Sequence, residues 1–217
     1  MAKFPIFLEV GGRRAVVIGG GPVAIRKAEL LVQAGARVII IDEALDDLPR
    51  ELSGRKDVEL VKSRYSKDYL NQALLAIAAT NNREVNEQVY KDCQQLEVLC
   101  NVVDDPEHCD FFVPATVRRH DLHIAISTEG ACPAYAGHLR RKLEDIVTED
   151  HGRFLDALET VRRRVLSDIP DEAQRKAILG ELVSDESFRR FLDSGPENWR
   201  KSADNIISRR TGNLTAG

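Results

Sequence analysis

AVVIGGGPVAIRKAELLVQAGARVIIID, residues 15–42, decides the fold. It opens on a short apolar run, 15–18, and passes at once through Gly19, Gly20 and Gly21. The period then changes: Ala24, Ala28, Leu31 and Gly35 fall at spacings of four, three and four, the repeat of one helix face. Gly35 is placed to end that helix, and RVIII at 37–41 reads as a second buried strand. Strand, glycine turn, helix and strand make a βαβ unit, whose crossover is right-handed and whose strands are parallel.

Downstream the alternation continues. VELVK at 58–62, LLAIAAT at 74–80 and VLCNVV at 98–103 read as further strands, with helical stretches near 66–73 and 83–95. Residues 1–113 are therefore expected to form one α/β domain of Rossmann type, a parallel sheet covered on both faces. The pattern changes at 115–128, where ATVRRHDLHIAIST alternates like two strands joined near His120 and Asp121. Pro133 opens a helix with Ala136, Leu139, Leu143, Ile146 and Val147 on one face. From about 150 to 208 only helical patterns occur, FLDALETVRRRVL at 154–166 among them, and TGNLTAG at the end reads as a frayed tail. The expected architecture is α/β overall: the sheet domain, a small α+β central domain at 114–149 and an α-helical domain at 150–217. The last helices are too few to bury much alone and are expected to pack on the rest of the chain or on a second subunit.

The glycine turn fits G-x-G-x-x-A between a strand and a helix. Gly19 permits the tight turn, Gly21 lets the backbone approach a pyrophosphate, and Ala24 allows close packing of helix on strand. Pro22, Val23 and Ala24 form the helix N-terminus, whose amides face the phosphates. Asp42, at the end of the second strand, is placed to accept the adenosine ribose hydroxyls; it would repel a 2′-phosphate, so NAD is the expected cofactor. The alternative for Asp42 is the capping of a turn. Glu43 and Ala44 would flank the adenosine, and Thr80, Asn81 and Asn82 sit at the carboxyl edge of the sheet, where ligands bind.

A net charge of −4 gives no global footprint for nucleic acid or an anionic membrane, so an anionic substrate needs a local basic patch. The first residues hold too short an apolar run for a signal peptide and no run approaches a membrane span, which makes the cytoplasm the expected location. Cys93, Cys100, Cys109 and Cys132 lack the spacing of a zinc knuckle or redox dithiol, and no metal site is expected. Basic groups occur at Arg118, Arg119 and His120, and at Arg140, Arg141 and Lys142 with His138 nearby. A solvated face explains such runs as readily as a binding site does.

FPIFLEVGGRRAVVIGGGPVAIRKAELLVQAGARV resembles the opening of the siroheme-synthase dehydrogenase/ferrochelatase family, and LAIAATNN, CNVVDDPEHCDFFVPA and IAISTEGACPAYAGHLRRKLE continue the likeness in order. It runs from about residue 3 to 150 and into the helical tail, without the methyltransferase domain of the larger fused members. The resemblance implies NAD-dependent oxidation of precorrin-2 to sirohydrochlorin, with Fe2+ insertion in some members, in a homodimer whose tetrapyrrole cleft involves the partner subunit. It assigns Asp104 of CNVVDDP as the catalytic group, with Asp105 its rival and a solvated turn before Pro106 as the bland reading. It makes Ser127, Thr128, Arg118, Arg119, His120 and Arg140 candidates for substrate binding. Relatives often read I-S-S-G-G-x-S-P where this chain has ISTEGACP; Thr128, Glu129 and Cys132 are departures. Two other readings compete: an NAD-sensing regulatory module, which would need no catalytic aspartate, and another NAD oxidoreductase using a sheet-edge histidine, for which His108 is the candidate.

Overall fold

A computed structural model describes residues 3–212, in two compact units that divide between Val113 and Pro114. The first unit contains β1 (Arg14–Ile18), α1 (Pro22–Gln33), β2 (Arg37–Ile41), β3 (Val58–Val61), β4 (Leu75–Ala78), α2 (Arg83–Leu96) and β5 (Leu99–Val102). The five strands are all parallel in the order β3-β2-β1-β4-β5. The order reverses between β1 and β4, which opens a crevice at their carboxyl ends.

Alternation along the strands sends side chains to two cores. Ala15 and Val17 of β1, with Val38 and Ile40 of β2, join Ala24, Ala28 and Val32 of α1. Val16, Ile18, Ile39 and Ile41 point the other way, into a core completed by Val89 and Cys93 of α2 and by Cys100. Ala24 and Ala28 are fully buried, so a larger side chain at either would push α1 off the sheet.

The stretch 66–73, expected to be helical, is only one 3-10 turn, Lys67–Leu70, capped by Ser66. The reason lies just downstream. Leu74 N–H must reach Arg14 O at 2.8 Å to start β4, so the chain turns over at Asn71 and at Gln72, whose φ is 61°. With one turn there in place of a helix, the α2 side of the sheet has thin cover beside β2 and β3.

The second unit is an antiparallel hairpin, β6 (Ala115–Arg119) and β7 (Leu122–Ile126), with α3 (Pro133–Ile146), α4 (Glu149–Asp168), α5 (Glu172–Leu182) and α6 (Asp185–Thr211). Both α3 and α4 pack on β6, so the central hairpin and the helical segment form one body. Gly152 makes that approach possible: a β carbon there would lie 2.8 Å from Arg119 O. Ile146, expected on the inner face of α3, is exposed. The helical core gathers Phe154, Val161, Val165, Ile178, Leu182, Phe191 and Trp199, and the indole N–H of Trp199 donates to Ser187 Oγ at 2.9 Å. α6 is kinked at Gly195 (φ 77°), followed by Pro196. Of the tail read as frayed, 213–217 lie outside the described residues. Among the described residues no helix is long and apolar enough to cross a membrane.

Candidate nucleotide site and the loop beside it

Three loops meet at the carboxyl edge of the sheet, after β1, β2 and β4. In the first, Gly19 has φ 116°, and a β carbon on it would lie 2.6 Å from Ala79 O, so this turn is pressed against the end of β4. A β carbon on Gly20 would lie 2.9 Å from Asp42 Cγ and 2.9 Å from Leu45 Cβ, which presses the same turn against the second loop. Gly21 differs from both. Its φ of −71° suits any residue, and nothing stands within 4 Å of where its β carbon would be.

The protein's own packing therefore gives no reason for glycine at position 21. A ligand lying against the backbone does. The surrounding donors agree: Pro22 occupies the first helical position, where a missing N–H costs nothing. The first bond within the helix runs from Ile25 N–H to Gly21 O, which leaves the amides of Val23 and Ala24 without intrahelical acceptors at the positive end of the helix dipole. This is an open, donor-lined cradle that fits a pyrophosphate.

Asp42 serves the turn first. Its Oδ1 accepts the N–H groups of Ala44 and Leu45, each at 2.8 Å, so turn capping and ribose binding are compatible but must share one carboxylate. The other oxygen carries no bond to the protein among the described residues. Glu43 pairs with Arg64 at 3.0 Å, and Asp46 lies 3.7 Å from Lys62, which brings two cations from the end of β3 beside Asp42.

After β4, Thr80 donates through its backbone N–H (3.2 Å) and hydroxyl (2.7 Å) to Asn86 Oδ1, and Asn86 Nδ2 returns a bond to Thr80 O at 3.0 Å. Asn82 caps α2 by accepting from Glu84 and Val85, while Asn81 stands exposed between them. Sequence reasoning missed Asn86. Its signal was available: a polar residue one turn into a helix, on the side carrying Val89 and Cys93, needs a partner for its amide.

Asp104 follows β5 on the same edge, exposed and with φ 62°. Its loop is stapled shut at the base. Asp110 Oδ2 accepts the Cys100 N–H at 2.8 Å, Asn101 Nδ2 donates to Phe111 O at 2.8 Å, and the Cys109 thiol donates to Val102 O at 3.2 Å. Inside the loop, Asp105 and His108 Nδ1 lie 2.8 Å apart, and the histidine holds the Asp105 carboxyl below its ordinary range. His108 also meets the Tyr90 ring edge-on at 4.6 Å, so it is occupied within the loop.

Lys27 of α1 was not singled out from the sequence, although it stands in the GGGPVAIRKA string. Burial and then the adjacent Arg26 lower its pKa, while Cys109 and Asp104 act in the opposite direction. It is the half-buried cation that senses Asp104. Cys93 and Cys100 are buried, and the hydrogen bond with Cys93, then burial, pushes the Cys100 thiol up, away from the thiolate form that reacts. Among the described residues no group of three metal-binding side chains comes together.

In the second unit the six substrate-binding candidates separate. Arg118, Arg119 and His120 lie at the turn of the hairpin, whereas Ser127 and Thr128 follow β7 at its other end, about 16 Å away at strand rise. Arg119 lies 3.4 Å from Glu149, His120 Nδ1 lies 2.7 Å from Asp156, and Arg140 pairs with Glu144. Arg118 is exposed and has no carboxylate partner among the described residues; its guanidinium donates to His120 O at 3.4 Å. Ser127 and Thr128 accept the backbone N–H groups of Glu129 and Cys132.

A parallel sheet in this order, with a donor-lined glycine turn at the reversal and a carboxylate ending the next strand, defines a dinucleotide-binding protein. Residues 6–115 match the family described as "Putative NAD(P)-binding", and the chain belongs to that family.

It is also 34% identical over 198 residues to the siroheme synthase of Psychrobacter arcticus, covering 91% of this chain and 36% of that protein. The siroheme synthase of Nitrosococcus oceani is 34% identical over 203 residues (94% and 43%), and siroheme synthase 1 of Aeromonas salmonicida 32% over 213 (98% and 46%). The resemblance read from the sequence is thus borne out, and the chain spans less than half the length of these relatives. A solved structure titled "SirC, precorrin-2 dehydrogenase" superposes with a TM-score of 0.76 at 19% identity, covering 94% of this chain and all of that one, and shares the fold.

Proposed function

We propose that this chain is an NAD-dependent precorrin-2 dehydrogenase. The observation that carries the reading is Gly21, open to solvent at a donor-lined helix N-terminus, on the sheet edge that also bears Asp42 and Asp104. The siroheme-synthase relatives supply the substrate: a tetrapyrrole with many carboxylates, oxidised to sirohydrochlorin by loss of a hydride and a proton.

NAD, when bound, supplies the hydride acceptor. The chain's own residues do the rest. Gly19, Gly21 and the amides of Val23 and Ala24 hold the pyrophosphate; Asp42, with Glu43 and Ala44 beside it, holds the adenosine ribose. Thr80, Asn81 and Asn82 line the next loop. Asp104 takes the proton that leaves the macrocycle.

Arg118, Arg119, His120, Arg140, Ser127 and Thr128 are the proposed ligands of the substrate's carboxylates. Arg118 is available as it stands, whereas Arg119, His120 and Arg140 exchange internal carboxylates for those of the substrate. The same Asp104 carboxylate serves a second proposed step, accepting one of the two pyrrole N–H protons displaced as the substrate Fe2+ enters sirohydrochlorin, the other passing to solvent.

A cytoplasmic homodimer is proposed as the working form. Exposed Leu166, Val183 and Leu192 on the helices are consistent with a partner surface.

The test is anaerobic incubation of the protein with precorrin-2 and NAD, reading NADH and sirohydrochlorin by absorbance, with NADP and Fe2+ in parallel arms. Sirohydrochlorin formed at the rate of NADH production is expected. Folded protein that binds NAD and precorrin-2 yet forms no sirohydrochlorin would overturn the dehydrogenase reading and leave chelation or NAD sensing as the live options.

A further inference from the structure

The opposite, amino edge of the same sheet carries a cavity of about 440 Å³ that the nucleotide does not use. Its walls bring together Arg13, Arg14, Arg37 and Lys56 over a floor of Val38, Ile39 and Val58. The topology explains why it is there. Arg14 and Arg37 are register partners on adjacent parallel strands, and strand spacing sets their backbones about 5 Å apart. The one 3-10 turn between β3 and β4 leaves this part of the sheet face without a covering helix.

The charge at this edge is unbalanced. Arg13, Arg37 and Lys56 have no carboxylate partner among the described residues. Arg14 spends one nitrogen on Tyr69 O at 3.0 Å, and its Nε is buried with no hydrogen-bond partner. Two carboxylates belong to the lining. Asp57 is held in a two-point pair by Arg55, at 3.0 and 2.8 Å, so Glu59 alone opposes the four cations. Like charges side by side on neighbouring strands are destabilising unless something neutralises them, and arginine forks are suited to planar or tetrahedral oxyanions.

We propose that this cavity is a second binding site, for a small polyanion carrying two or more carboxylate or phosphate groups. It is independent of the nucleotide reading, because no residue of the glycine turn or of Asp42 takes part.

The test is calorimetric titration of the full chain, saturated with NAD, with citrate and separately with inorganic pyrophosphate at low ionic strength. Binding of one anion per chain is expected, weakened at least tenfold in Arg37→Ala and in Lys56→Ala, and strengthened in Glu59→Gln. All three side chains are exposed or at the rim, and unchanged NAD affinity in the variants reports that the sheet is intact. The ratio of the two affinities distinguishes a carboxylate ligand from a phosphate ligand. Absence of binding by both anions, or binding that ignores Arg37 and Lys56, overturns the proposal.

Discussion

Asp42 stands where a side chain on Gly20 would have to go: a β carbon built on Gly20 falls 2.9 Å from Asp42 Cγ. The glycine turn and the carboxylate of the nucleotide site are therefore fitted to each other before any ligand arrives. Gly20→Ala is predicted to move Asp42 or Leu45 and to cost about 1–3 kcal/mol of stability through overpacking. Urea denaturation measures this, and NAD titration is expected to weaken in step.

Gly21→Ala is the contrasting case. With a φ of −71° and open space around it, the new methyl meets no protein atom, so stability is expected to stay within about 0.5 kcal/mol. NAD affinity is nevertheless expected to fall at least tenfold. An unchanged affinity would show that the pyrophosphate does not lie against this residue.

Cofactor choice is predicted to hinge on Glu43 and Arg64. Their 3.0 Å pair keeps the guanidinium from acting as a phosphate ligand beside the ribose site. Glu43→Gln releases it and is expected to raise NADP affinity about tenfold, a change equal to 1.4 kcal/mol, with NAD affinity little altered. The gain should vanish in the Glu43→Gln, Arg64→Ala double variant; a gain that persists there would remove Arg64 from the explanation.

Asn86 is predicted to matter twice. Removing its amide strands the part-buried Thr80 N–H and carbonyl, at about 1–3 kcal/mol for groups left unpaired, while the Thr80 hydroxyl keeps Asn82 O as acceptor. Asn86→Ala should lower the melting temperature and also loosen NAD binding, through the loop after β4.

Asp104→Asn tests catalysis without disturbing the backbone, because asparagine tolerates the left-handed conformation that position adopts. The expected result is retained NAD affinity with turnover reduced about 10²-fold or more, the usual worth of a proton acceptor.

The Asp105–His108 contact yields a pH prediction. The folded-state pKa of Asp105 is depressed, chiefly by its hydrogen bond to His108, so the contribution to stability is present above the ordinary value of 3.8 and is lost as the pH falls through the folded value. His108→Ala is expected to return the Asp105 titration, followed by NMR, to the ordinary range. The variant should be less stable than the parent near neutral pH, and the two should converge as the pH falls below the folded value of Asp105.

Much of this was legible from residues 15–42, because a change of hydrophobic period across three glycines permits few structures. The loops resisted. The stretch 66–73 has helical composition, but a hydrogen bond from Leu74 to Arg14, 60 positions away in sequence, ends it after one turn. Ile146 continues the apolar spacing of α3, yet nothing in the spacing reveals that the face has run out of partner by the last turn. Arg119 and His120 read as part of a patch because the carboxylates that engage them, Glu149 and Asp156, come from α4, which only folding brings near, whereas the Arg140–Glu144 pair lies four residues apart on one helix. Asp42 had two competing roles in the sequence, and its geometry accommodates both.

The staple beneath the Asp104 loop has a consequence for how such a chain can diversify. With Asp110 and Asn101 fastening both feet to β5, the exposed residues at the tip, Asp104, Pro106 and Glu107, lie outside both cores of the sheet: replacing them is expected to disturb neither strand register nor core. New chemistry can therefore be explored at this rim while the scaffold beneath it stays heritable and unchanged.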